Sequence, residues 1–241
     1  MKIYKCDTYQ DMSKVANGIV IEQIKQNPRA LVSFPGGDTP LGMVREFVTS
    51  VNAGDVDISG ASYVSLDEWV GLGKGDRGSC ATFNEENIFS KLQKSFKQTH
   101  IINGANPSIQ QEVTALDEFI QKNGPISVSV LGIGLNGHLG FNEEGVSFDN
   151  NGHIIPLSPV TTAVMVKYFG TDFAPTHGIT QGLGQIMSAD TVVLIANGDK
   201  KTQILYKALC EPITEQIPAS ILQKHKNLHV VVDNLAGEKL S

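Results

Sequence analysis

Asp67 and Glu68 stand side by side after the run Ser62-Tyr-Val-Ser-Leu66, next to Trp69, the one tryptophan of the chain. A carboxylate beside an indole at the end of an apolar segment loses part of its water. Desolvation raises its pKa and makes it a better base near neutrality. The alternative is that one acid caps a turn and the other is solvated. A second segment is Gly132-Ile-Gly-Leu-Asn-Gly-His-Leu-Gly-Phe-Asn-Glu-Glu-Gly145. It offers His138, with Asn136 before it and Glu143 after it, and an imidazole near a carboxylate is a tunable acid/base. The segment formally contains GxGxxG. A dinucleotide fingerprint opens a helix and is followed by an acid at the end of the next strand. Here Gly137, Gly140 and Gly145 break any helix, so the spacing predicts a loop that presents polar side chains. A third segment, Phe34-Pro-Gly-Gly-Asp-Thr-Pro40, is a glycine turn feeding a helix start. It is either a plain strand-to-helix turn with a Thr cap or an anion site made of backbone N–H groups and the helix dipole. No Gly-Lys-Ser/Thr follows, so it is not a Walker A loop. Lys167 and Lys201 are the cations placed to complete a phosphate clamp.

These segments need elements that aim them at one place. Apolar residues recur at helical spacing over 8–26, through Met12, Val15, Ala16, Ile19, Val20 and Ile24. Thr39-Pro40 reads as the cap and first turn of a helix running to Val51. Helices are also predicted over 82–95, over 108–122 and from Asp199 to Leu209. Strands are predicted at 30–34, 62–66, 126–131, 191–196 and 228–233. The last two are apolar throughout, as strands covered on both faces are. The alternation predicts an α/β fold: a doubly wound, mostly parallel sheet with helices on both faces, in a single domain over 1–241. In such sheets ligands bind beyond the carboxyl ends of the strands, where all three segments lie.

Composition narrows the function classes. With 19 Lys+Arg against 25 Asp+Glu the net charge is −6, which disfavours a nucleic-acid partner. Cys6, Cys80 and Cys210 form no disulfide framework and no CxxC, so neither a staple nor a zinc site is expected. No apolar run suits a signal peptide or a membrane span. A cytoplasmic protein is expected. The 24 glycines exceed the usual share, and they cluster in the segments above.

Taken together, Phe34–Gly42, Leu66–Leu72, Gly78–Phe83, Gly132–Gly145, Gly178–Ile186 and Asn197–Lys201 resemble the glucosamine-6-phosphate deaminase/isomerase family, in chain order and over nearly the whole length. The resemblance implies a fold shared with sugar-phosphate isomerases and lactonases (Rossmann-like). It implies a reaction in which a hexosamine 6-phosphate and water give fructose- or tagatose-6-phosphate and ammonia, with no cofactor and no metal. On this resemblance Asp67 is the proton-transfer base between C2 and C1. His138 is the ring-opening acid/base, and Glu143 orients it. Asn136 occupies a position held by Asp in some members. Gly36, Gly37, Asp38 and Thr39 form the phosphate loop, joined by Lys201 and by Lys167, where the family commonly has Arg. The implied partner is a small amino-sugar phosphate, with neither nucleic acid nor membrane, and the implied assembly is a monomer or small homo-oligomer. Asp38, Lys167, Glu144 and Asn150-Asn151-Gly152 depart from the family pattern around the sugar site, which leaves the galactosamine epimer open. The chain ends without the C-terminal tail of allosteric hexameric members, so weak or absent allosteric control is expected. The rival readings are a 6-phosphogluconolactonase and a non-catalytic sugar-phosphate sensor.

Overall fold

A computed structural model of the protein describes residues 1–163 and 174–240. The chain runs through β1 (Lys2–Cys6), α1 (Tyr9–Gln26), β2 (Leu31–Phe34), α2 (Asp38–Ala53), β3 (Ser62–Ser65) and β4 (Asp67–Trp69). It continues through α3 (Cys80–Asn87), β5 (Gln98–His100), α4 (Ile109–Asn123), β6 (Ile126–Leu131), β7 (His153–Pro156) and β8 (His177–Thr180). It closes with α5 (Leu183–Met187), β9 (Thr191–Ala196), α6 (Thr202–Cys210) and β10 (Leu228–Asp233). Seven strands form one sheet in the order β1-β10-β9-β6-β2-β3-β5, and every pairing in it is parallel.

The period-two alternation of the central strands divides two cores. Val193 and Ile195 face one side with Val32, Val128 and Val130, against Met12, Ala16 and Val20 of α1 and Met43, Val44 and Phe47 of α2. Val192 and Leu194 face the other side with Val230 and Val232, against Leu116 and Ile120 of α4, Ile186 of α5 and Leu205 of α6. Each such side chain stabilises the fold by roughly 1.5–3 kcal/mol. The all-apolar strands are thus explained by helices on both faces.

The sheet contains more than the five strands the sequence predicts. β1 and β5 are edge strands, largely solvent-facing, so neither carries the apolar run that marks the interior ones. The helix expected over 82–95 stops at Asn87, and a 3₁₀ turn at Phe89–Lys91 follows. A second, three-stranded sheet, β4-β8-β7, is antiparallel. Its strands read Asp-Glu-Trp, His-Gly-Ile-Thr and His-Ile-Ile-Pro, too short to show a period. Among the described residues no helix is long and apolar enough to cross a membrane.

The strand order fixes where a ligand can sit. From β2 the chain winds outward through β3 to β5, then returns to place β6 on the other side of β2. The loops after β2 and β6 therefore leave the same edge in opposite directions and open a crevice between them. Residues 35–37, leading into α2, and 132–145 are those two loops.

Candidate active site

α2 begins at Asp38, with Gly37 as its N-cap at φ 106°, a left-handed conformation that favours glycine. The helix starts two residues earlier than the Thr-Pro pair suggests, and Thr39 does not cap it. Its hydroxyl donates instead to Asn197 Oδ1 at 2.9 Å and ties the loop after β2 to the loop after β9. The N-terminus of α2 is the end of the helix whose dipole favours an anion. Asp38 lies in the first turn, where an acid suits the helix dipole, and its carbonyl accepts the Tyr9 hydroxyl at 2.8 Å. Lys201 ends the 3₁₀ turn Asp199–Lys201 and donates to the carbonyl of Ile133 in the loop after β6. Burial draws its ammonium down to about 8. Lys167 lies outside the described residues.

The two adjacent acids have separate fates, because successive side chains of a strand point to opposite sides. Glu68 is fully buried and accepts from the N–H groups of Trp69, Cys80 and Ala81 and from the Ser79 hydroxyl, at 2.7–3.0 Å. It therefore anchors the N-terminus of α3, and burial still pushes its carboxyl up against those donors. Asp67 faces the crevice. Burial, and then the charge of Glu68, push its carboxyl up to about 7, while a hydrogen bond from the Cys80 thiol pulls the other way. The desolvated carboxylate expected from the sequence is Asp67, and of the alternative reading only the capping part holds, for Glu68; neither acid is a solvated surface group.

The loop after β6 folds back on itself through the Gly134 N–H to the carbonyl of His138, at 2.9 Å. The imidazole of His138 lies over Gly134 so closely that a Cβ there would come within 2.3–2.5 Å of three ring atoms. Glu143 is 4% exposed and stands 3.6 Å from His138 Nδ1 through Oε2. Its carboxylate also accepts from Asn136 Nδ2 at 2.9 Å, the Ser158 N–H at 3.1 Å and the Thr161 hydroxyl at 2.5 Å. Burial would raise this carboxyl, but the hydrogen bonds of His138 and Thr161, the charge of His138 and the Asn136 donor outweigh it. They hold it at about 2, so it is an anion. Nδ1 also lies 3.3 Å from the Thr161 hydroxyl, so Thr161 and the Glu143 anion together hold that side of the ring, and His138 lines the cavity with the rest of it. Gly140, at φ 58°, carries this loop past Asp67; a Cβ there would sit 2.6 Å from Thr180 Oγ1 and 3.5 Å from Asp67 Oδ2.

One cavity of about 490 Å³ gathers the reactive groups, within the size range of small-molecule sites. Gly36, Gly37, Asp38, Thr39, Asp67, His138 and Lys201 all line it. Asn136 and Glu143 do not line it; they stand behind His138. Trp69 and Phe141 pack at a centroid distance of 4.5 Å and close its apolar wall. Among the described residues no cluster of His, Cys, Asp and Glu could hold a metal ion. Sequence reasoning missed Cys80, Ser158 and Thr161. The Ser158-Pro159 pair is a helix-start signal that could have drawn attention to the last two. Nothing in the sequence places Cys80 beside Asp67.

Comparison with known proteins points the same way. The family described as glucosamine-6-phosphate isomerases/6-phosphogluconolactonase matches residues 7–231. The glucosamine-6-phosphate deaminase of Oceanobacillus iheyensis is 34% identical over 242 residues, covering 100% of this chain and 97% of that protein. Glucosamine-6-phosphate deaminase 2 of Bacillus subtilis is 33% identical, covering 100% and 98%. A solved monomeric glucosamine-6-phosphate deaminase superposes with a TM-score of 0.94 at 30% identity, covering 99% of both chains. The 6-phosphogluconolactonase of Trypanosoma brucei superposes at 0.80 with 16% identity over 100% of this chain and 98% of that one, a likeness of fold alone. From the family match and the full-length identity, the chain belongs to the glucosamine-6-phosphate isomerase/6-phosphogluconolactonase family.

Proposed function

We propose that the protein converts a hexosamine 6-phosphate and water into a ketohexose 6-phosphate and ammonia, with glucosamine 6-phosphate as the amino sugar. The observation that carries this is the pairing, in one cavity, of a carboxyl raised to about 7 with an imidazole backed by a carboxylate. An aldose–ketose shift needs two such differently tuned groups on separate loops. His138, oriented by Glu143 and Asn136, moves the proton that opens the sugar ring at O5. Asp67 then takes the proton from C2 and returns it to C1, which leaves an imine at C2. Water adds there and ammonia departs, so no residue becomes covalently attached to the sugar. The N-terminus of α2 with Gly36, Gly37, Asp38 and Thr39, together with Lys201 and Lys167, holds the phosphate. That distant handle orients the reacting carbons. No cofactor enters this scheme.

The full-length deaminase relatives and the 0.94 superposition support the substrate, and the monomeric state of that solved relative favours a monomer over a small homo-oligomer. The chain is read as one catalytic domain over 1–241, working in the cytoplasm. The deciding experiment is an ammonia-release assay on glucosamine 6-phosphate and galactosamine 6-phosphate, with hydrolysis of 6-phosphogluconolactone as the control. Ammonia from glucosamine 6-phosphate is expected. Lactone hydrolysis without ammonia release would assign the cavity to the rival chemistry.

A further inference from the structure

We infer that Thr161 is a positioning residue for the reaction: its hydroxyl accepts the Nδ1–H of His138 while donating to Glu143, and so fixes which nitrogen of the ring carries the proton. This rests on the reading of His138 as the acid/base that opens the sugar ring. Thr161 is buried, lines the cavity with His138, and lies in the first helical turn after Ser158-Pro159. Its N–H donates to Ser158 Oγ at 3.2 Å, a side-chain cap that holds this turn against the loop after β6.

The distances decide the direction of each bond. Glu143 Oε2 is 3.6 Å from Nδ1, beyond hydrogen-bond reach, whereas Thr161 Oγ1 is 3.3 Å from it. A carboxylate only accepts, so the 2.5 Å contact of Thr161 Oγ1 with Glu143 Oε1 takes the one proton of the hydroxyl. Toward its other neighbours Thr161 Oγ1 then presents lone pairs. One receives the Ser158 hydroxyl at 3.2 Å, and the other faces Nδ1, which is therefore the donor. Ser158 is oriented in the same sense, because its Oγ accepts from Asn136 Nδ2 at 3.3 Å and from the Thr161 N–H. The donors thus run in one direction, from Asn136 through Ser158 and Thr161 to Glu143, and the imidazole joins at Thr161. The carboxylate favours the same form, since an unprotonated Nδ1 would turn its lone pair toward an anionic oxygen. With the proton on Nδ1, a neutral ring keeps its lone pair on Nε2. That nitrogen takes the O1 hydroxyl proton of the sugar and hands it to O5 as the C1–O5 bond breaks and C1 becomes a carbonyl, so the imidazole ends as it began.

The test compares Thr161→Val, which keeps the branched shape and loses the hydroxyl, with Thr161→Ser, which keeps the hydroxyl. Nitrogen-15 NMR of the neutral His138 ring, assigned with His138→Asn, reports which nitrogen holds the proton, and ammonia release gives kcat and KM. The wild type and the Ser variant are expected to be protonated on Nδ1, with kcat in Ser within about threefold of wild type. In the Val variant the neutral ring is expected to divide between the two tautomers. Its kcat is expected to fall by roughly 10–100-fold at nearly unchanged KM, as for the loss of a hydrogen bond to a charged group. A merely structural role would lower Tm without moving the tautomer. A Val variant with the wild-type tautomer would overturn the inference and leave the deaminase reading standing. A wild-type ring protonated on Nε2 would overturn it as well, and that measurement needs no variant to fold. A tautomer that shifts in Val, while the wild type releases no ammonia, would retain the contact and overturn its catalytic purpose together with the deaminase reading.

Discussion

Asp67→Asn should remove turnover and make the protein more stable at alkaline pH. The Asp67 carboxyl sits at about 7 in the folded chain against an ordinary 3.8. Between those values the folded state holds a proton that the unfolded state has released. Stability therefore falls as pH rises through this window, and it levels off above the folded value. One pH unit corresponds to ~1.4 kcal/mol, so ionised Asp67 costs on the order of 4 kcal/mol as an upper bound. Its partial exposure to the cavity reduces that to roughly 1–3 kcal/mol. Asparagine keeps the shape and carries no charge to desolvate. The variant's advantage should thus be absent near about pH 4, grow to about pH 7 and then stay constant. For a chain of this size it amounts to a Tm increase of roughly 3–10 °C at the plateau. Thermal melts of both proteins across that range, with ammonia release measured on the same samples, make the test. An equal Tm gap at acid and alkaline pH, or a less stable variant at alkaline pH, would refute the account of Asp67 as a desolvated base. A dead but unstabilised enzyme would leave its role as base without its physical origin.

The pH dependence of kcat/KM should be a narrow bell. Its acid limb follows Asp67 losing its proton near about 7, and its alkaline limb follows Lys201 losing its charge near about 8. A flat profile between about pH 5 and pH 7 would remove Asp67 from the chemistry. Lys201→Ala should raise KM by far more than it lowers kcat, since phosphate binding is shared by ground and transition states; an unchanged KM would take Lys201 out of the clamp. Gly134→Ala should drive the new methyl into the His138 ring, from which its Cβ would be 2.3–2.5 Å. Because Gly134 sits in a loop at negative φ, kcat should fall by roughly 10²-fold with little change in Tm, a contrast that melts and turnover measured side by side would check.

Sequence periodicity decided the fold class, because strands buried on both faces are near-continuously apolar, as Val192 to Ala196 and Val230 to Val232 are. It also decided where chemistry could sit, because glycine turns after such strands lie at one sheet edge. Asp67, His138, Glu143, Asn136 and Lys201 were legible as reactive types in those loops, and the structure brings all five to one crevice or directly behind it. Edge strands were not legible, since β1 and β5 face solvent and need no apolar pattern. The division of labour between Asp67 and Glu68 was not legible either. Which acid caps α3 and which enters the cavity depends on the antiparallel pairing of Asp67 with Thr180 and Glu68 with Ile179, a contact across more than a hundred residues. The support of Glu143 by Ser158 and Thr161 is likewise set by packing between separate loops. The sequence determined which groups could do the chemistry. Tertiary structure alone decided which of them are desolvated, paired and aimed, because those properties belong to neighbours in space and not to neighbours in the chain.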